Sequence, residues 1–447
     1  MNVRRSAAVV AVLAATAGVG TGLGTGFAPA ALADDTAPNA PSASPSQAIP
    51  TGLYGSTDPK YDGVWRQSLT LVALDAVDEK PGAGAVDWLL GQQCANGAFA
   101  AYRPDPTAQC DAKTAVDTNS TAAAVQALAA VGGHDAQAER AVGWLKDNQN
   151  DDGGWGFTAG GPSDANSTSV VIGALAAVGE APDGQKKAGH SPYDALRALA
   201  LPCAAGTEGS GAFAYQPDKK GGLAANADAT AAAVLGSLGE GFVVDTGKTG
   251  DSGENGDSGE NGDSGNSGSS GTTGGAAECA GGTSPEDAAH NGAVYLAGAL
   301  TSAGYLKSAL AGAEDQPDLG NTADAVVALA AAGDTDATAK PLAWLEKNYG
   351  PWAAKSGPAA YAQLILAAHA AGTDPRDFGG ADLVAQLTET GPARDVADYS
   401  SVPSDDTADG GGDDGGIATG VVLGAGLGLA ALAGAALTRL TRKRRRT

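Results

Sequence analysis

The sequence predicts an all-α protein, an α6/α6 toroid in which six inner helices are ringed by six outer ones. Three observations predict it. A helix-and-turn unit, A-E-R-A-V-G-W-L-K-D-N-Q-N-D-D-G-G-W-G-F from Ala138 to Phe157, recurs in weaker copies. Helical patterns follow one another in six pairs between 61 and 390. The patterns are rich in alanine, which allows close helix packing, and such repeats bury their faces only against neighbours.

The unit itself is amphipathic. Trp144 and Leu145 share an apolar face with Ala141, while Lys146, Asp147 and Gln149 are polar. Gly153 and Gly154 end the helix, since glycine tolerates the left-handed backbone of a helix exit. Trp155 and Phe157 follow in the loop, and loop aromatics of this size are expected to be buried against the adjacent repeat. An earlier copy keeps the spacing: Trp88, Gln93, Gly97 and Phe99 match Trp144, Gln149, Gly153 and Trp155. A third copy keeps only its end, G-A-F-A-Y with Phe213. A fourth, A-V-Y-L from Ala293, lacks the turn aromatic, and a fifth has Trp344 and Trp352 with a shorter gap.

Gln-x-x-x-Gly-x-Trp after an apolar helix resembles the QW motif of the squalene/hopene cyclase and protein prenyltransferase superfamily, whose members carry prenyltransferase/squalene oxidase repeats. Gln149, Gly153 and Trp155 match it, and Gln93, Gly97 and Phe99 match it with Phe for Trp. The resemblance runs from about Tyr61 to Leu387. It implies a terpenoid cyclase/prenyltransferase-like toroid in which the motif staples outer helices to their neighbours.

Taken in order, Arg4 and Arg5 precede an apolar run, and Ala31-Leu32-Ala33 forms a small-x-small cleavage site, so 1–33 reads as a secretory signal peptide. Paired arginines also fit a twin-arginine route, but its usual neighbours are absent, and Sec export is expected. Residues 34–50, rich in Pro, Ala and Ser, read as a disordered spacer. The toroid is expected over 51–392. Its helices are expected at 61–77, 81–93, 117–132, 135–148, 164–178, 191–200 and 226–239, then 285–303, 319–332, 336–348, 357–371 and 379–390. Those alternating inner and outer helices give six of each. The inner ones open on Asn, Asp, Ser or Thr, which cap orphan amides.

Between them lies an acidic, glycine-rich insert, 245–278. Glycine occupies every third position from Gly247 to Gly274, but the run has no proline to favour a collagen helix. A flexible acidic loop is expected. Residues 393–416 form a second acidic, glycine-rich linker. Ile417 to Leu437 gives 21 residues without a charge, ~31 Å at helical rise, enough for one transmembrane helix. The basic tail, 438–447, is then cytoplasmic. A sortase signal is a weaker reading, because Ile417-Ala418-Thr419-Gly420 lacks the Leu-Pro pair. The expectation is a bacterial cell-membrane protein, single-pass, with its toroid on the extracellular side.

The net charge is −24. Signal and tail hold 8 of the 27 basic residues and none of the 51 acids, so 34–416 carries −32. That excludes nucleic acid and anionic headgroups as natural partners. Four cysteines in an exported chain suggest two disulfides. Three pairings are possible. Cys94 and Cys110 bracket one loop and are expected to pair, leaving Cys203 with Cys279 across the insert. No cysteine has zinc-site spacing.

Ligand chemistry is expected at one end of the ring, where loops lead into inner helices. Tyr102, Arg103 and Tyr215 stand in those loops; Asp117, Asn119, Asp164, Asn166, Asn226 and Asp228 stand at helix starts; Tyr361 lies on the last inner helix. Together they ring a mouth with amide and carboxylate groups. Each also reads as an N-cap, a turn or packing.

Catalysis has little support. The Asp-x-Asp-Asp acid of hopene-type cyclases is missing, since Asp334-Thr-Asp336-Ala lacks its last acid. Cyclases also stabilise carbocations with aromatic walls, and aromatics are only 5% here. His134, His190, His290 and His369 are scattered, and no zinc triad of the prenyltransferase kind is found. The cobalamin carriers, secreted α6/α6 toroids without catalysis, are similar in layout, though their second, β domain has no counterpart here. The expected role is therefore a membrane-anchored, non-catalytic toroid. It would bind a bulky, corrinoid-like solute and hand it to a membrane transporter, with no catalytic cofactor and no metal. The alternatives are a surface module for wall glycan, lipid or protein, and a cyclase/prenyltransferase-type enzyme.

Overall fold

The computed structural model describes residues 51–204, 208–244, 278–309 and 312–392. The expected signal peptide, spacer, most of the insert, second linker, membrane span and tail lie outside the described residues. Among the described residues no helix is long and apolar enough to cross a membrane.

Among the described residues thirteen α-helices follow in chain order: α1 (Gly63–Ala76), α2 (Ala85–Gly91), α3 (Thr118–Val131), α4 (Asp135–Asp147), α5 (Ala165–Ala177), α6 (Pro192–Leu199), α7 (Ala227–Leu238), α8 (Pro285–Thr301), α9 (Leu319–Ala331), α10 (Thr335–Asn348), α11 (Gly350–Ser356), α12 (Pro358–Ala370) and α13 (Leu383–Glu389). Packing makes them a ring. α1 lies on α3, α3 on α5, α5 on α7, α7 on α9, α9 on α12, and α12 returns to α1. α2, α4, α6, α8, α10 and α13 each back one of these six from outside. The expected double ring of six inner and six outer helices is what forms.

The inner helices are buried nearly all round. α5 has every residue from Ser167 to Leu175 buried, and α3 every residue from Ser120 to Leu128. Small and apolar side chains make up most of that buried surface, which is why these stretches read as alanine-rich. The outer helices keep a polar face.

The turns hold the layers together. Gly153 has φ 89°, and a Cβ there would collide with the backbone carbonyl of Ser191, at the start of the next outer helix. Gly52, Gly97 and Gly211 lie in the same way against α2, α4 and α8, and Gly304 lies less tightly against α10. Two residues after each comes a buried apolar side chain: Tyr54, Phe99, Trp155, Phe213 and Leu306. The backbone N–H groups of the last four are answered by side chains. They donate to a threonine hydroxyl in the first turn of the following inner helix, Thr121, Thr168, Thr230 and Thr322. Tyr54 donates to Gln67 in the same role. The fourth copy, read as lacking its aromatic, has Leu306 in that place. Beside it Tyr305 stacks on Trp344, with ring centroids 4.6 Å apart.

Gln93 and Gln149 brace their turns. Gln93 donates to Gln137 O on α4 at 2.8 Å, and Gln149 to Gly153 O at 2.7 Å. Trp88 and Trp144 are buried on their helices, and Trp352 is half-buried. The Trp155 indole donates to Leu145 O at 2.7 Å. Phe157 corrects the expectation: it is 48% exposed, because its carbonyl, not its ring, is what the fold uses, accepting from Thr118 N.

Two elements were not expected. α11 begins at Gly350-Pro351, which reads as a helix stop, yet proline suits a first turn because its missing N–H is unneeded there. A two-residue antiparallel ladder, β1 (Leu306–Lys307) with β2 (Pro317–Asp318), closes the loop before α9. Both expected disulfides are present, Cys94–Cys110 and Cys203–Cys279.

Candidate functional site

All six inner helices start at the same end of the ring. Counting from the first helical amide separates two kinds of polar residue there. Val64 N, Thr118 N and Ala165 N take carbonyls of the next turn, Ala101, Phe157 and Tyr215, and so mark equivalent positions. The residue before is the cap. Asp117, Asp164 and Asn226 each accept from the amide three residues on, at 2.6, 2.7 and 2.8 Å. These three are structural. Burial pushes the Asp117 carboxyl up to about 6, against the Ser120 bonds that favour its charge.

The residue after the marker faces the lumen. Trp65, Asn119, Asn166 and Asp228 hold this place; each is half-buried, the first three between buried neighbours. On α9 the place is Gly320, which opens toward Gln363 and Trp352. Asn166 donates to Asp228 Oδ2 at 2.9 Å across the α5–α7 seam. One turn deeper, Gln363 donates to both oxygens of Asp324 at 3.1 Å across the α9–α12 seam. The side-chain oxygens of Asn119 and Asn166 are buried with no hydrogen-bond donor.

The mouth is electrostatically strained. Burial raises the Asp228 carboxyl, Asp318 raises it further, and the Asn166 bond opposes both. Burial pushes Asp324 up to about 7, helped by Asp228 and Asp318 and opposed by Gln363. Tyr215 gives its hydroxyl to Asp164. Its own proton is held to about 12, chiefly by burial and then by the charges of Asp164 and Asp228.

Below the mouth the lumen is occupied. After α7 the chain turns at Gly239 and runs inward through Glu240 to Val244. Phe242 N donates to Gln126 Oε1 of α3 at 2.9 Å, and Gln126 in turn donates to Val170 O of α5 at 3.2 Å. The Phe242 ring meets Trp65 of α1 edge-on, centroids 5.5 Å apart. Gly173 of α5 faces Gly241, where a Cβ would stand 2.8 Å from the Gly241 Cα. Since α2, α4 and α6 cover the outside of α1, α3 and α5, a strand touching all three lies within the ring.

One expected ligand residue serves elsewhere. Arg103 is buried, and its guanidinium is spent on the carbonyls of Gly91, Gln93, Pro106 and Ala108, clamping the loop that Cys94–Cys110 closes. Tyr361 packs half-buried against the core, and its hydroxyl is raised by burial and by Tyr349 and Glu389. Tyr102 packs half-buried on the core beside the mouth turn. Trp65 and the Glu240–Val244 strand were not foreseen. Aligning helix starts would have shown Trp65 in register with Asn119; nothing in the sequence marks the strand. Among the described residues no group of three His, Cys, Asp or Glu is arranged to hold a metal.

No family model matches the chain, and no curated protein matches it. Among solved structures, a protein from Actinoplanes is similar at 14% identity, with 73% of this chain and 96% of that one covered and a TM-score of 0.44. The type II terpene cyclase MstE from Scytonema is similar at 15% identity, covering 66% and 72%, with a TM-score of 0.39. A variant of the same enzyme in complex with geranylgeranyl dihydroxybenzoate is similar at 12%, covering 69% and 88%, with a TM-score of 0.41.

Proposed function

We propose that this protein is a non-catalytic binding module and that the mouth of its ring recognises a glycan of the cell wall. One observation carries the reading: a polar layer with unspent acceptors lies directly above a lumen filled by the chain's own strand. A ligand therefore sits at the rim. The rim also offers Tyr61, 58% exposed two residues before α1, and Phe157, 48% exposed against the start of α3. Exposed aromatic faces beside carboxamides and carboxylates suit sugar rings, which present an apolar face and hydroxyl edges. The filled lumen favours this over a corrinoid seated within the ring. Two disulfides suit an oxidising, extracytoplasmic setting, and a membrane anchor at 417–437 would hold the module at the surface.

A second reading, proton transfer, is favoured by Asp324 alone. Its carboxyl is half-protonated near neutral pH, as a general acid must be. The strand Glu240–Val244 leaves such a reaction little room.

Calorimetry on the purified full-length protein separates these. Soluble wall fragments are expected to bind, with at least tenfold weaker binding in Phe157→Ala and in Asn166→Leu. Tight cobalamin binding without glycan binding would overturn the proposal and restore solute capture. Turnover of a polyprenyl substrate, lost in Asp324→Asn, would replace it with an enzyme.

A further inference from the structure

The strand that enters the lumen sits on a seat made for a main chain. Asn119 and Asn166 face the lumen, and seven residues on, two turns deeper, the same helix faces present Gln126 and Gly173. Both meet the strand. Gln126 Oε1 accepts from Phe242 N at 2.9 Å, and its amide, donated to Val170 O at 3.2 Å, fixes which way the carboxamide points. Gly173 is a notch: a Cβ there would stand 2.8 Å from Gly241 Cα. The same step from Trp65, Asp228 and Gly320 reaches Val72, Leu235 and Val327. A lumen that needed only filling would carry such a side chain at 173 as well. Instead α5 has a glycine in its interior, the poorest helix former after proline, where the main chain passes.

The strand is held lightly. Phe242 N is the one backbone group of residues 241–244 with a partner among the described residues. Gly241, Phe242 and Val243 are half-buried, and Val244 is buried. Upstream the chain turns at Gly239, with φ 74°, and Glu240 is exposed. Downstream, 34 residues separate Val244 from Cys279, a length that spans up to ~110 Å. The strand can therefore leave the lumen with α7, α8 and Cys203–Cys279 in place.

We infer that residues 240–244 are a releasable strap, and that the lumen they occupy binds an extended peptide in which glycine precedes an aromatic residue. The seat selects that chemistry. A Cβ at the place of Gly241 would collide with Gln126 Oε1. Gln126 takes the N–H of the next residue, and Trp65 meets its ring edge-on, as it meets Phe242 with centroids 5.5 Å apart. Strap and peptide compete for one place, so a peptide binds only as the strap leaves. The inference does not rest on glycan recognition at the rim.

The probe is the acetylated, amidated peptide Glu-Gly-Phe-Val-Val, the strap's own sequence, titrated by calorimetry into the full-length protein. Phe242→Asp, which sets a charge against Trp65, should expel the strap and red-shift the Trp65 emission. It should bind the peptide at least tenfold more tightly than the unaltered protein does. Gln126→Leu added to Phe242→Asp should weaken that binding tenfold. Gly173→Val should also release the strap but refuse the peptide, because the notch is gone. Val244→Asp is the second releasing variant if Phe242→Asp fails to fold by circular dichroism. Trp65 emission unmoved in the folded variants would make the segment ordinary core and overturn the inference. Equal binding by the unaltered and released proteins would overturn the strap. No binding by a released variant, or binding that persists in Gly173→Val, would overturn the peptide site. The wall-fragment titration decides the rim reading separately.

Discussion

Trp155 and Phe157 stand two residues apart in the same turn, and the fold treats them oppositely. Trp155 is 1% exposed and Phe157 is 48% exposed. Replacing Trp155 by alanine empties a large buried volume, which costs about 3–5 kcal/mol in well-packed cores. It also leaves Leu145 O without its indole donor, worth about 1 kcal/mol. We take ~4 kcal/mol as the working figure, a large part of the ~5–15 kcal/mol that holds a domain folded. With about 300 ordered residues and an unfolding entropy of roughly 2.1 cal/mol/K per residue, that is a fall in Tm of about 6 °C. Phe157→Ala should move Tm by no more than ~1 °C, as surface changes do. Scanning calorimetry on the two variants at one pH makes the comparison. If both fall equally, or if Phe157→Ala falls further, the turn is not held together by its buried aromatic.

Three further outcomes are expected. Asp324 has a carboxyl raised from 3.8 to about 7, so the folded protein holds that proton more tightly than the unfolded chain. The stabilisation is complete below the unfolded value and is lost as the pH rises through about 7. Asp324→Asn should therefore raise Tm by several degrees at pH 8 and leave it almost unchanged at pH 4, as thermal melts at the two pH values will show. Gly173→Val places branched carbons where Gly241 and Gln126 approach within 2.8 and 3.0 Å. It should expel the Glu240–Val244 strand and red-shift the emission of Trp65, which then meets water in place of Phe242. Cys203–Cys279 spans 76 residues against 16 for Cys94–Cys110; loop entropy assigns them ~4.5 and ~3 kcal/mol, so Cys279→Ser should lower Tm more than Cys110→Ser.

The double ring was legible because its signals are local. Alanine-rich periodicity marks the helices, and Asp117, Asp164, Asn226 and Ser191 mark their starts through a bond three residues long. What is set by closure was not. Gly52 and Tyr54 begin the chain's first turn, but the outer helix that belongs to that turn is α13, at the far end of the sequence; Gly55 N meets Thr390 O at 2.9 Å. The copy is cut in two by the chain ends, so no reading along the sequence finds its helix. The mouth was half legible. Asn119, Asn166 and Asp228 line it, whereas Asp117, Asp164 and Asn226, adjacent and chemically alike, cap helices. Only the backbone hydrogen bonds at the first turn tell the two rows apart. Arg103 read as a ligand-binding charge because its four carbonyl partners are invisible until the loop folds.

Where the ring closes, no peptide bond crosses. Five joints between repeats are covalent, and the sixth, from α12 and α13 to α1 and α2, is a seam of non-covalent contacts: Thr390 O with Gly55 N, the Tyr54 ring against Gly391, Arg376 with Glu79. Tension between the two ends of the described chain falls on that seam alone. The ring is in mechanical terms a split washer. It yields first at the split, by parting α13 from the first turn, while the remaining joints carry no load until the gap has opened.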